Sequence, residues 1–257
     1  MTGRSRARDR SRPSGGAVTQ TLLDTLLALG PCELCLLATA DQIVTGTGVS
    51  QWTDQSGHGR HATQATGALQ PAYTAIAGDV GYVQGNGSQG LFIPSSGLEF
   101  LHSGAGATVV AIYEQAGTAG YYVCGNQTGS GAHLGFSITR RAAPTGRIAT
   151  GTGAVSVTQF DGSVGTDGAY HKVIWTYRSG PDPDVSARSD GASIGTTSEM
   201  ASPVGTTSGA TFGVCCGGNT TTFGSTSKIR ALLAYSSVLS AGTITAIEAL
   251  FTSEWGV

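Results

Sequence analysis

Charge is scarce in this chain of 257 residues, where Asp, Glu, Lys and Arg together make up 12%. The six glutamates are Glu33, Glu99, Glu114, Glu199, Glu248 and Glu254, and none has another carboxylate two positions away. Retaining glycoside hydrolysis needs two carboxyls about 5 Å apart, which alternate positions on one strand face supply. Only Asp182 and Asp184 have that spacing, and they sit in a Pro-Asp-Pro-Asp turn, where solvation explains them. The histidines (His58, His61, His102, His133, His171) show no nucleophile partner in sequence. The glycine-rich piece 125–131 lacks the lysine of a phosphate loop. With no catalytic constellation in view, the expectation is a protein that is not an enzyme.

Cysteine is equally uninformative as a framework. Five residues, Cys32, Cys35, Cys124, Cys215 and Cys216, are an odd set for a disulfide scaffold. Cys32-x-x-Cys35 is half of a zinc site, but zinc wants four ligands and no second pair follows. Cys215 and Cys216, as neighbours on a strand, would point to opposite faces. The expectation is no metal, no cofactor and buried free thiols, consistent with assembly in a reducing cytoplasm. No run reaches the roughly 18 apolar residues of a membrane span, so no membrane partner is expected. Arginines followed by a Leu-rich run and Ala38-Thr39-Ala40 mimic a secretory signal. Against that reading, Asp24, Pro31 and Glu33 interrupt the apolar run, and residues 36–40 suit a strand.

What the chain has is glycine, 40 residues, and a hydrophobic content of 39%, enough for a core. Low charge with abundant Gly, Thr, Ser and Ala suits short strands joined by turns. The charge is uneven. Of fourteen basic and sixteen acidic residues, five and one lie in residues 1–12, which leaves nine against fifteen, a net of −6, for the rest. The five are Arg4, Arg6, Arg8, Arg10 and Arg12, a basic arm suited to gripping an acidic protein surface or nucleic acid. Next, residues 19–29 carry Leu22, Leu23, Leu26 and Leu27 at helical spacing, ended by Gly30-Pro31. That stripe either covers its own domain or docks on a neighbouring subunit. Together these arginines and leucines are the expected partner-binding residues, and the domain division is an arm plus helix over 1–31 and a β-domain over 32–257.

The β-domain is organised around 49–73. Trp52 is a core anchor; Asp54, Ser56 and Gly57 suit a tight turn; Gln70-Pro71 ends the segment. His61 is expected to be structural and His58 exposed. Strands are expected near 33–38, 81–84, 91–93, 108–114, 120–124, 133–139, 170–177, 185–189, 193–197, 211–215 and 228–235. In 170–177, Val173, Trp175 and Tyr177 share one face, which makes Trp175 the second core residue. Arg140, Arg141 and Arg147 flank a Pro-Gly turn as a solvated loop. Ser240 caps a final helix near 241–253 whose Ile244, Ile247 and Leu250 form its apolar stripe.

The order of these pieces carries a resemblance. Trp52-x-Asp54-x-Ser56-Gly57-x-Gly59-x-x-Ala62-Thr63-Gln64, then Gln70-Pro71-x-Tyr73, resembles the start of a laminin-G-like, concanavalin A-like domain. Leu36 to Ile43, Tyr82 to Gly87, Tyr170 to Trp175, Ile229 to Tyr235, Leu239-Ser240 and Trp255-Gly256 continue it across 32–257. The resemblance implies an all-β, two-sheet antiparallel jelly-roll sandwich, with the N-terminal arm and short helix and a C-terminal helix added to it. The superfamily spans sugar binders, adhesion modules, hydrolases and viral surface proteins, so fold alone does not decide function. The reading adopted from the sequence is a non-enzymatic protein of a virion surface, a tailed-phage capsid decoration protein held by its arm. Its expected partners are the major capsid protein or other virion subunits, glycans on a host surface, and further copies of itself in a homo-oligomer. The alternative is a carbohydrate-binding or adhesion module of a secreted or cell-surface protein.

Overall fold

A computed structural model of the chain describes residues 20–257 apart from 78, 95–97, 99, 104, 115–121, 127–132, 141–145, 154–156, 163–167, 179–183, 198–210 and 219–223. The five arginines of the expected arm therefore lie outside the described residues. In chain order the elements are α1 (Gln20–Ala28), β1 (Cys32–Leu37), β2 (Ile43–Thr45), β3 (Val49–Trp52), β4 (Ala62–Thr63), β5 (Ala72–Ile76), β6 (Asp79–Gln84) and β7 (Leu91–Ile93). They continue with α2 (Phe100–Ser103), β8 (Gly106–Glu114), β9 (Tyr122–Gly125), β10 (His133–Arg140), β11 (Gly146–Gly153), β12 (Val157–Gly162) and β13 (Tyr170–Arg178). Last come β14 (Asp184–Ser189), β15 (Ala192–Thr197), β16 (Phe212–Val214), β17 (Lys228–Tyr235) and α3 (Ala241–Trp255).

The strands form two antiparallel sheets, a two-sheet sandwich with a C-terminal helix. The first runs β15-β14-β13-β8-β17-β6-β5, with β1 also pairing β17; the second runs β12-β11-β10-β9-β16-β7-β4-β3-β2. The most apolar segment, β8, is buried at every position and sits between β13 and β17, as a strand flanked on both edges should. β17 shares its other edge between two partners: its start pairs β6 and the rest pairs β1.

Alternation places the core. Trp175 is fully buried and meets Phe136 of the second sheet at 4.7 Å between ring centroids, with Tyr177 stacked at 5.9 Å. Trp52 is also fully buried, and its ring N–H donates to Leu37 O at 3.0 Å. A buried Trp needs such a partner for its one polar atom. The Trp175 ring N–H has none among the described residues.

Helices α1 and α3 pack on the first sheet. Ser240 caps α3 by accepting from Thr243 N, and Gly256 ends it in the left-handed conformation at φ 68°, donating to Thr252 O. Ile244, Ile247, Phe251 and Trp255 are its buried apolar side chains. Leu250 is only half-buried, because Phe251 takes the inward position expected of it. Glu248 meets Arg188 of β14 and Thr252 meets Lys172 of β13, which fixes α3 over that part of the sheet.

Helix α1 corrects one expectation. Leu22 and Leu26 are sealed in the chain's own core, with Leu23 and Leu27 packed at its margin. Tyr235 Oη donates to Leu26 O at 3.0 Å and ties the helix to β17. Full burial of each leucine is worth about 1.5–3 kcal/mol, so the stripe is satisfied internally and Leu22 and Leu26 are not available to a partner. Two loop expectations also change. Arg140 and Arg147 belong to the paired strands β10 and β11, and Asp184 opens β14 opposite Arg178; Arg141 and Asp182 lie outside the described residues. Among the described residues no helix is long and apolar enough to cross a membrane.

Candidate functional site

The turn after β3 holds a dense polar network, and its geometry is structural. The Asp54 carboxylate, 6% exposed, accepts from Cys35 N (2.9 Å), Ser56 N (3.0 Å), Ser56 Oγ (2.7 Å) and Arg60 N (2.9 Å). Asp54 N donates to His61 Nδ1 at 3.1 Å. Arg60 reaches Glu33 Oε2 at 2.6 Å, and Ser236 Oγ donates to Glu33 Oε1 at 2.9 Å. Burial raises the Glu33 carboxyl, but the hydrogen bonds from Arg60 and Ser236 and the charges of Arg60 and His58 outweigh it, leaving it below its ordinary value. The residues that carry the sequence resemblance thus fasten the turn to β1 and to the loop after β17. Four donors already use Asp54's acceptor capacity, so it has little left for a ligand.

A second cluster lies on the first sheet, on the face that α3 partly covers. Register brings it together. Tyr170 of β13 is opposite Glu114 of β8, Glu114 is opposite Lys228 of β17, and Lys228 is opposite Gln84 of β6. Directly paired residues share a face, so these four form one row across four strands. Lys172, two residues from Tyr170, meets α3 through Thr252; the row is one step further along the same face.

Within the row Lys228 Nζ donates to both Glu114 oxygens, at 2.8 and 3.0 Å, and stands 5.3 Å from the centre of the Tyr82 ring. The hydrogen bond to Glu114 is the chief cause that raises the Lys228 pKa, against a smaller effect of burial. Next to it the β8–β17 ladder slips between Ile229 and Ala231. Arg230 is the extra residue of that bulge, and bulges re-aim side chains. Its guanidinium stacks 4.0 Å from the centre of the Tyr170 ring and Nη2 donates to Asp79 Oδ2 at 3.1 Å. Arg230 is 5% exposed, and its Nε–H has no partner among the described residues. Burial raises the Tyr170 hydroxyl, and the Arg230 hydrogen bond opposes this without cancelling it. Tyr82 and Tyr170 are each half-buried.

The result is two partly exposed tyrosine rings joined by a fixed cation–carboxylate pair and a stacked arginine. Such a surface offers flat apolar faces beside charged donors and acceptors held in place, the mix that recognises polar ring-shaped ligands. Its two carboxylates, Glu114 and Asp79, are each engaged by a different cation. Among the described residues no group of three or more His, Cys, Asp or Glu is placed to hold a metal.

Of the residues singled out from sequence, Trp52 and Trp175 are interior and far from ligand chemistry, and the arginine arm is outside the described region. Tyr82, Tyr170, Glu114, Lys228 and Arg230 were not singled out as a site. The available signal was local: Lys228-Ile229-Arg230 places two cations around one apolar residue at the start of an otherwise apolar strand.

The sequence matches no protein-family model and no curated protein. Solved structures share the fold. The binding domain of Paraclostridial Mosquitocidal Protein 1 aligns with a TM-score of 0.58 and 11% identity, over 90% of this chain and 53% of that one. Domain 4 of AbnA, an extracellular GH43 arabinanase from Geobacillus stearothermophilus solved with arabinotriose, aligns at 0.57 and 13%, over 84% of this chain and 98% of the domain. A Trypanosoma rangeli sialidase aligns at 0.56 and 15%, over 86% of this chain but only 32% of that protein. The chain thus spans about a third of the sialidase and about half of the toxin binding domain. At these identities the likeness is one of fold.

Proposed function

We propose that the sandwich is a non-catalytic carbohydrate-binding module that takes a sugar on the Tyr82–Tyr170 face of its first sheet. The observation that carries the reading is the row Tyr170–Glu114–Lys228 with Tyr82 and Arg230 beside it. Half-exposed aromatic rings receive the C–H faces of a pyranose or furanose, and the held carboxylate and ammonium bond its hydroxyls. The arabinanase domain, matched over nearly its whole length, is itself solved with a trisaccharide, and the toxin match is a binding domain; both support the reading. The test is a glycan array probed with the purified protein, followed by calorimetry on the hits. Micromolar to millimolar binding without cleavage of the glycan is expected. Absence of binding to every glycan presented, or release of product, would overturn it.

A finer reading concerns where such a module is displayed. Five arginines within residues 4–12 of an otherwise acidic chain favour an arm that threads an acidic groove on another protein. A capsid decoration protein, with the sandwich presenting its sugar face outward, fits that arrangement. Exposed pairs are worth only ~0–1 kcal/mol each, so attachment relies on several of them being desolvated together. A protein lacking residues 1–16 should then keep its sugar affinity and lose salt-sensitive binding to stripped particles. Equal particle binding by the truncated protein would refute the attachment role.

A further inference from the structure

Cys32 and Cys35 both lie on β1, where a regular strand would send residues three apart to opposite faces. The ladder to β17 is irregular at this point. Cys32 is opposite Tyr235, Leu34 opposite Ala234 and Cys35 opposite Leu233, so one extra residue is accommodated around Glu33. Tyr235 and Leu233 share a face of β17, and the bulge therefore turns both thiols to that face. Same-face neighbours on a strand are about 6.6 Å apart, two rises of about 3.3 Å. That falls within the roughly 4.4–6.8 Å between Cα atoms that a disulfide spans.

Other observations agree on the proximity. The Cys35 thiol is held well above its ordinary pKa, first by its hydrogen bond to Cys32 and then by burial. Tyr235 feels both sulfurs, after the larger effect of its own burial. Both cysteines are reduced in the structure. Cys32 retains 7% exposure and Cys35 none, while Cys124 and Cys215 are sealed at 1% and 0%. The pair thus has an outer thiol and an inner one, the arrangement in which one sulfur is attacked from solution and the other resolves.

We propose that Cys32 and Cys35 form a thiol–disulfide exchange site whose co-reactant is a small organic disulfide such as oxidised glutathione. The Cys32 thiolate attacks one sulfur of the oxidant, the oxidant's S–S bond breaks, and half of it departs and takes up a proton. Cys35 then gives up its proton and displaces the second half, which forms the Cys32–Cys35 bond. The protein loses two electrons and two protons, and the oxidant leaves as two thiols. The bridge spans Glu33, whose carbonyl accepts from Ser56 Oγ and Arg60 Nη1. Closure therefore acts on the same turn that Asp54 organises.

The test uses the folded full-length protein, exposed to oxidised glutathione, quenched in acid, unfolded and labelled with N-ethylmaleimide. The tryptic peptide ending at Arg60, which carries both cysteines, should lose 2 Da and take no label, while Cys124, Cys215 and Cys216 are labelled. Cys35→Ser should instead trap one glutathione on Cys32, released by dithiothreitol; Cys35→Ala gives the same reading if the serine variant fails to fold. Full labelling of both cysteines under conditions that oxidise a control dithiol would overturn the proposal. So would a glutathione adduct that persists on wild-type Cys32.

Discussion

Replacing each core tryptophan by phenylalanine separates packing from hydrogen bonding. Both rings are fully buried, so Trp→Phe removes a similar volume at each site and the packing losses largely cancel in a comparison. The polar atoms differ. Trp52 loses its hydrogen bond to Leu37 O, a net contribution of about 0.5–1.5 kcal/mol. The acceptor is not orphaned, because Thr39 N also donates to it at 2.8 Å. Trp175→Phe removes a ring N–H that has no partner among the described residues, which relieves a burial cost of about 1–3 kcal/mol. Phenylalanine can also keep a ring against Phe136 and Tyr177. Trp52→Phe should therefore be the more destabilising by about 1.5–4.5 kcal/mol, or at least about 3 °C in melting temperature for a domain of this size. Urea titrations with matched slopes measure the difference. If Trp175→Phe proved as costly as Trp52→Phe, the account of the two ring N–H groups would be refuted.

Asp54→Ala leaves the Cys35, Ser56 and Arg60 backbone donors without their shared acceptor and should cost about 3 kcal/mol or more by urea denaturation; a loss under about 1 kcal/mol would mean the turn does not depend on it. Tyr82→Ala should weaken binding to an array-identified glycan roughly tenfold or more while leaving the melting temperature within a few degrees. Asp190 gives a pH dependence. Burial raises its carboxyl, but the hydrogen bonds from His171 (2.6 Å) and Lys172 N, with their charges, together hold it below its ordinary 3.8. A depressed native pKa adds stability that is present above about pH 4 and fades as pH falls through the lower native value. Asp190→Asn should therefore flatten the acid limb of a stability-versus-pH curve, and an unchanged limb would count against the His171–Asp190 contact.

The sequence and the structure agree most closely where a pattern is local. Alternation in 170–177 put Val173, Trp175 and Tyr177 on one face, and the Ser240 cap opens α3. The two-sheet antiparallel sandwich followed from the order of such pieces. What was not legible is non-local. The Tyr170–Glu114–Lys228–Gln84 row exists only through register across four strands, and Arg230 reaches Tyr170 only because β17 bulges between Ile229 and Ala231. In the sequence Glu114 stands isolated from any other carboxylate, yet it is paired and nearly buried once the strands assemble. Leu22 and Leu26 carried an amphipathic pattern that suits an internal face and also a docking face; tertiary packing takes them into the interior. Segments 146–153 and 157–162 gave no strand signal: the first is rich in glycine and threonine, and the second has only Val157 and Phe160 as apolar residues, too few for the alternation that marks a half-buried strand. They pair all the same as β11 and β12.

The most direct test of the sugar-binding reading is hydrogen exchange with and without a glycan selected from the array. Binding on the proposed face should slow exchange at amides of β6 near Tyr82, the start of β13 at Tyr170 and the start of β17 at Lys228 and Arg230. The turn from Asp54 to His61 should be unaffected. Protection confined to that turn, or spread over neither region, would contradict the placement of the site on the Tyr82–Tyr170 face.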